Sequence, residues 1–152
     1  MNTYFKVIED LKTIALAEPF VNTVTQGDIT EIDLNKTTIF PLCHISVSGA
    51  DLQTNLNTLN ISVILMDIID HSKETSSSDI RGNNNEMDVL NTHLSVAARI
   101  QAAMARQSAY RDEYELTSSF SCEPFTERFE NNMAGWAVTF TVQVLNPMTS
   151  AT

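Results

Sequence analysis

Glycine is scarce in this chain: four in 152 residues, at Gly27, Gly49, Gly82 and Gly135, none near another. A phosphate cradle needs several glycines within one short turn, so nucleotide binding finds no support. Basic residues are few as well. Nine Lys and Arg stand against nineteen Asp and Glu, a formal net charge of -10, which excludes the concentrated positive field that binding a nucleic-acid backbone requires. An acidic wall facing DNA without sticking to it remains compatible with that balance. Cysteine is limited to Cys43 and Cys122; the two can pair only if their Cα atoms lie within about 7 Å. The first residues, Met1 to Lys6, show no basic patch, apolar run or small-residue cleavage site. Cytoplasmic synthesis with free, buried thiols is therefore expected. The longest strongly apolar run, residues 61–69, is interrupted by Ser62 and Asp67 and is far too short to span a bilayer.

What is present fits one folded domain. An apolar share of 43% with 18% charged residues is too apolar for intrinsic disorder. A chain of 152 residues supports a single core burying roughly two-thirds of the unfolded surface. Asn2 or Thr3 can cap a first helix in which Phe5, Ile8, Leu11 and Ala15 recur at helical spacing, joined by Val7, Ile14 and Leu16. Glu18-Pro19 stops it. Residues 20–36 read as a connector with one short strand. Residues 38–47 read as a strand with Pro41 near its start, Ile39, Cys43, Ile45 and Val47 on one face and Phe40, Leu42 and His44 on the other. Ser48 to Asp51 marks the exit.

A second strand over residues 59–69 has one apolar face, Leu59, Ile61, Val63 and Leu65, and an opposite face that turns apolar halfway along, at Ile64 and Met66. That half-apolar face suits a subunit interface; burial by a loop or helix of the same chain is the alternative. Residues 71–85, with Ser76-Ser77-Ser78 and Asn83-Asn84-Asn85, are expected to form a long mobile loop, either functional or a solvated excursion. A second helix is expected over residues 86–108, with Val89, Leu90, Leu94, Ala97, Ile100, Ala103 and Met104 as its stripe. Ala97, Ala98, Ala102 and Ala103 suit close packing on a sheet. Acidic Glu86 and Asp88 at its start, with Arg99 and Arg106 toward its end, match the helix dipole.

Residues 114–122 read as a third strand, with Tyr114, Leu116, Ser118, Phe120 and Cys122 on one face. Residues 136–144 are the clearest strand, alternating Trp136, Val138, Phe140, Val142 and Val144 with Thr139, Thr141 and Gln143. Such alternation means one buried and one wet face. Between them, residues 123–134 read as a polar docking loop, in which Phe125, Arg128 and Phe129 are residue types enriched at interfaces. The expected architecture is α+β: about four mostly antiparallel strands with both helices on one face.

No catalytic, cofactor or metal constellation competes with this layout, and the chain is expected not to be an enzyme. His44, His71 and His93 show no metal spacing. Asp67, Asp70, His71 and Glu74 lack the glycine turn of a calcium loop. Cys43 and His44 are strand neighbours that point to opposite faces, so they make no nucleophile and base pair.

The order of these elements, with Phe40-Pro41-Leu42-Cys43-His44, Ile64-Leu65-Met66-Asp67, and Glu127-Arg128-Phe129-Glu130-Asn131 through Gly135-Trp136, resembles tail terminator and head-to-tail joining proteins of tailed bacteriophages, in particular ring proteins of crAss-like phages of gut Bacteroides. The resemblance covers residues 20–146. It implies a structural virion protein of the neck or tail, made in the host cytoplasm. Copies would join as a homo-oligomeric ring around a DNA channel, sixfold or twelvefold. Portal or connector and other ring proteins would be its partners, and DNA would pass without specific binding. In that setting Met66 and Ile68, at the end of the second strand, and the helix around Arg99 and Arg106 would meet neighbouring subunits. Phe125, Arg128 and Phe129 would dock on rings above or below. A small-molecule or peptide-binding α+β module is the alternative.

Overall fold

The computed structural model describes residues 3–27, 39–54, 56–69, 86–111, 114–116, 119–128 and 133–145. Their order is α1 (Thr3–Leu16), β1 (Thr23–Gln26), β2 (Leu42–Leu52), β3 (Leu56–Ile68), α2 (Glu86–Arg111), β4 (Tyr114–Leu116), β5 (Ser121–Arg128) and β6 (Met133–Leu145). The class is α+β as expected, but the sheet has six strands rather than four, and it is mixed. The strand order is β1-β2-β3-β6-β4, with β5 also on β6. β1 runs parallel to β2 and every other pairing is antiparallel.

The centre of the sheet is the β3–β6 pair, in register from Leu56↔Leu145 to Ile68↔Met133. Alternation along both strands sends Leu59, Ile61, Val63 and Leu65, with Val138, Phe140, Val142 and Val144, into one core. Both helices cover that face. α1 contributes Val7, Ile8, Leu11, Ile14 and Ala15, spaced as one helical stripe. Phe5 and Leu16, expected in that stripe, are instead 66% and 51% exposed, because they lie a third of a turn away from it. α1 ends where the N–H groups of Ala17 and Glu18 bond back to Thr13 and Ala15 and Pro19 cannot continue the ladder.

α2 buries Val96, Ala97, Ile100 and Met104 in the same core. Leu94, assigned from sequence to the buried stripe, is 43% exposed; Val96 occupies the inward position instead. Of the four alanines expected against the sheet, Ala97 is buried and Ala103 half-buried, while Ala98 and Ala102 face outward.

Strand boundaries moved for local reasons. β2 begins at Leu42, after a cis Phe40–Pro41 peptide. It continues past the expected exit through an irregularity between Val47 and Gly49 that absorbs Ser48, as a bulge does. The expected third strand is two strands: β4 pairs with residues 142–144 of β6 and β5 with residues 133–139. Across this break the face parity holds, since Tyr114, Leu116, Phe120 and Cys122 all pack on the main core. Phe120 stacks on Phe140 with centroids 4.2 Å apart. The largest correction is that residues 121–128, read in part as a docking loop, are a strand. Pro124 is tolerated there because β5 pairs only with β6 among the described strands, which leaves its other edge free of a ladder.

Candidate functional site

The other face of the sheet divides into two halves. Toward one end, Ser62, Thr139, Thr141 and Gln143 leave it polar and at least partly solvated. At the other end Phe40, Leu42, Met66, Phe125 and Met133 form a second buried cluster, with Ile39, Ile64 and Ile68 against it. Alternation explains the set: Leu42 pairs with Met66, Met66 with Gly135, and Gly135 with Phe125.

Two residues expected at an interface therefore belong to the interior. Met66 is wholly buried and Phe125 is 6% exposed. Phe125 has an internal partner because its segment pairs as a strand and turns its ring onto the apolar end of β3. Ile68 is half-buried against the same cluster. Arg128 closes β5 opposite Met133, past an irregularity after Phe125. Phe129, the loop expected at 71–85, and Asp70, His71 and Glu74 lie outside the described residues.

On the helix layer, Arg99 and Arg106 are both exposed. Arg99 Nε donates to Glu18 Oε2 at 2.7 Å, and its guanidinium lies 5.9 Å from the centroid of the Phe20 ring. Exposed pairs of this kind contribute at most about 1 kcal/mol. Beside them runs an outward stripe of α2, Met87, Leu94, Ala98, Ala102 and Ala105, all exposed.

A cleft of about 220 Å³ opens where the first turns of α2 meet the end of β3. Asp67, Asp88, Thr92 and His93 supply its polar wall; Phe20, Pro41 and Val89 supply the apolar one. His93 sits one turn after Val89 on the inward side of α2 and is only 3% exposed. Neither ring nitrogen has a hydrogen-bond partner. The carbonyls of Met66 and Val89 approach the ring without reaching bonding geometry. Such orphaned buried groups cost about 1–3 kcal/mol.

Burial lowers the His93 pKa below its ordinary value, opposed by the charge of Asp67 and the nearby carbonyls. Burial raises the Asp67 carboxyl above its ordinary value, opposed by the Ile68 N–H, which donates to Asp67 Oδ1 at 2.8 Å, and by His93. The sequence signal for this site was a histidine inside a helix's apolar stripe. Its proximity to Asp67, a strand away, was not legible.

His44, by contrast, is fully used. Its Nε2–H donates to the Gly27 carbonyl at 2.8 Å, leaving Nδ1 to accept from the Thr25 hydroxyl at 2.8 Å. The ring thereby fixes β1 and the turn at Gly27, whose φ of 104° suits glycine, onto β2. Cys43 and Cys122 are both free; Cys43 is buried with its thiol pushed up to about 12, while Cys122 is half-buried rather than buried.

Trp136, on the face of the last strand expected to be buried, packs half-buried on the main core and donates from Nε1 to the Leu90 carbonyl at 2.7 Å. Among the described residues no three His, Cys, Asp or Glu side chains converge as a metal would need. No helix is long and apolar enough to cross a membrane among them. No protein-family model matches the sequence, and no curated protein matches it.

Proposed function

We propose that the chain is a structural subunit that self-associates side by side into a ring, as the sequence resemblance to phage neck and tail ring proteins implies. The fold feature that supports this reading is the outward stripe of α2. Met87 and Leu94 are 44% and 43% exposed, and Ala98, Ala102 and Ala105 extend the line over the following turns. Small side chains let a second backbone approach closely, and Arg99 and Arg106 on the flank supply charged rim contacts. Exposed Phe5 and Leu16 on α1 widen the apolar surface of the same helix layer. The acidic surplus suits the wall of a channel along which DNA slides.

Native mass spectrometry and negative-stain imaging of the purified chain, alone and with a portal or connector protein, test the reading. A closed ring is expected. Leu94→Asp combined with Ala98→Asp should abolish it while the thermal melt stays within a few degrees of the parent, because both positions face solvent in the single chain. A protein that stays monomeric with every neck component overturns the proposal. A small-ligand-binding module is the second reading, favoured by the cleft at His93.

A further inference from the structure

We infer that the cleft between the start of α2 and the end of β3 binds a small neutral carboxamide, its carbonyl oxygen on His93 and its N–H on Asp67. This rests on the second reading above, ligand binding at the cleft, and does not use the ring. Ligand binding and oligomer mass are separate readouts, so either reading can fail without the other.

His93 is the group that points to a ligand. It lines the cleft, is 3% exposed, and has neither ring nitrogen in a hydrogen bond. Because no hydrogen bond fixes the ring, turning it about χ2 to face a nitrogen into the cleft breaks none. A buried polar group left unbonded is costly, and a ligand that bonds it removes that cost.

The charges around the cleft select a neutral ligand. Asp67 and Asp88 are the charged residues of the lining, so an anion is repelled. A cation is opposed by the Arg99 guanidinium, which already covers the Phe20 wall at 5.9 Å from the ring centroid, and Asp88 is engaged in an interaction of its own. A bare metal ion needs a third ligating side chain, and none converges there among the described residues.

Asp67 and His93 then decide which neutral group fits. Asp67 Oδ1 accepts from the Ile68 N–H, and a carboxylate keeps further lone pairs that only accept. Burial lowers the His93 pKa, and neutral imidazole carries one N–H donor. The pair therefore calls for a donor and an acceptor on adjacent atoms. A carboxamide supplies both: its carbonyl oxygen accepts from the imidazole N–H while its amide N–H donates to Asp67, a charge-assisted bond. The amide dipole of about 3.5 D then turns its positive end toward the carboxylate. Pro41 and Val89 offer apolar contact to a short alkyl stem. The cleft volume of about 220 Å³ is ample, since a cavity of about 150 Å³ already admits benzene.

The test is a titration of the full chain at about pH 7.5 with three molecules of one shape: butyramide, butyrate and 2-pentanone. Binding is read at the His93 ring by heteronuclear NMR and on the ligands by saturation transfer. Butyramide should give a saturable His93 shift and butyrate none. 2-Pentanone keeps the carbonyl and the stem but has no N–H for Asp67, and should bind about tenfold more weakly or worse. His93→Leu, checked for folding by its melt, should weaken butyramide by a similar factor in the ligand-observed signal. Should that variant fail to fold, the comparison of butyramide with 2-pentanone on the parent chain still decides. No saturation with butyramide, binding of butyrate or 2-pentanone as tight as that of butyramide, or unchanged affinity in a folded His93→Leu overturns the inference.

Discussion

Phe125 of β5 stands opposite Gly135 of β6, and the glycine has no room for a side chain. A Cβ at position 135 would fall on the Leu65 carbonyl of β3 and within 2.9 Å of Met66 Cα. The close approach of β6 to β3 at this point brings Phe125 and Met66 into one cluster.

Gly135→Ala should therefore be among the most destabilising single changes in the chain. The obstacle is backbone, which cannot rotate away as a side chain can, so the strands must separate. A loss of about 3 kcal/mol or more is expected, measured as a drop in the urea midpoint at constant slope. A variant as stable as the parent would show that β3 and β6 do not approach so closely.

Phe125→Ala should lower stability by about 3–5 kcal/mol, the usual range for emptying a buried phenylalanine site. A pure interface residue would leave the melt of the isolated chain unchanged. The melt thus separates a role in the interior from a role in docking, and the interior role predicts a clear fall.

The cleft should carry a pH dependence of definite sign. His93 has a folded pKa below its unfolded value near 6.5, so the unfolded chain binds more protons as pH falls below about 6.5. Stability is then lost on acidification through that window toward the folded pKa. Asp67, raised above its unfolded value of 3.8, works the other way, its cost appearing as pH rises from 3.8 through the folded pKa. His93→Leu removes the buried imidazole with its two unbonded nitrogens and should raise stability at pH 7 by about 1 kcal/mol or more. It should also flatten the acid limb below 6.5. An acid limb identical to the parent's would rule out His93 as its source.

Thiol reactivity should divide the cysteines. Burial pushes Cys43 up to about 12 and Cys122 upward as well, but only Cys122 is partly accessible. Iodoacetamide at about pH 8 should modify Cys122 slowly and leave Cys43 intact until the chain unfolds, because the thiolate is the reacting form. Peptide mapping after timed alkylation reads the order; modification of Cys43 first would contradict its burial.

Much of the fold was legible because it is written in local periodicity. The alternation from Trp136 to Val144 and from Leu59 to Leu65 gave both central strands with their inward faces, and the 3.6-residue spacing gave both helices. The misread residues sit where spacing admits neighbouring angles: Leu94 and Val96 differ by two positions on α2, and only the direction of the sheet decides which of them is covered. Residues 121–128 carry Pro124, two glutamates and an arginine, a loop-like composition that an edge strand nevertheless tolerates.

The candidate sites were less legible than the fold. Phe125 and Met66 looked like docking residues because neither has a partner within its own segment; their partners are each other's cluster, 59 positions apart in the chain. Asp67 and His93 lie on different elements, β3 and α2, so no local period joins them.

By itself, then, the sequence determined the class, the core faces, the acidic field and the absence of a phosphate-binding glycine turn. These depend on composition and on periods of two and 3.6 residues. Tertiary structure alone decided that the second sheet face closes over Phe125, that Ala98 and Ala102 turn outward, and that Asp67 and His93 share a cleft. Each of these requires two segments distant in sequence to meet, and the strand register and the seating of α2 on the sheet set where they do.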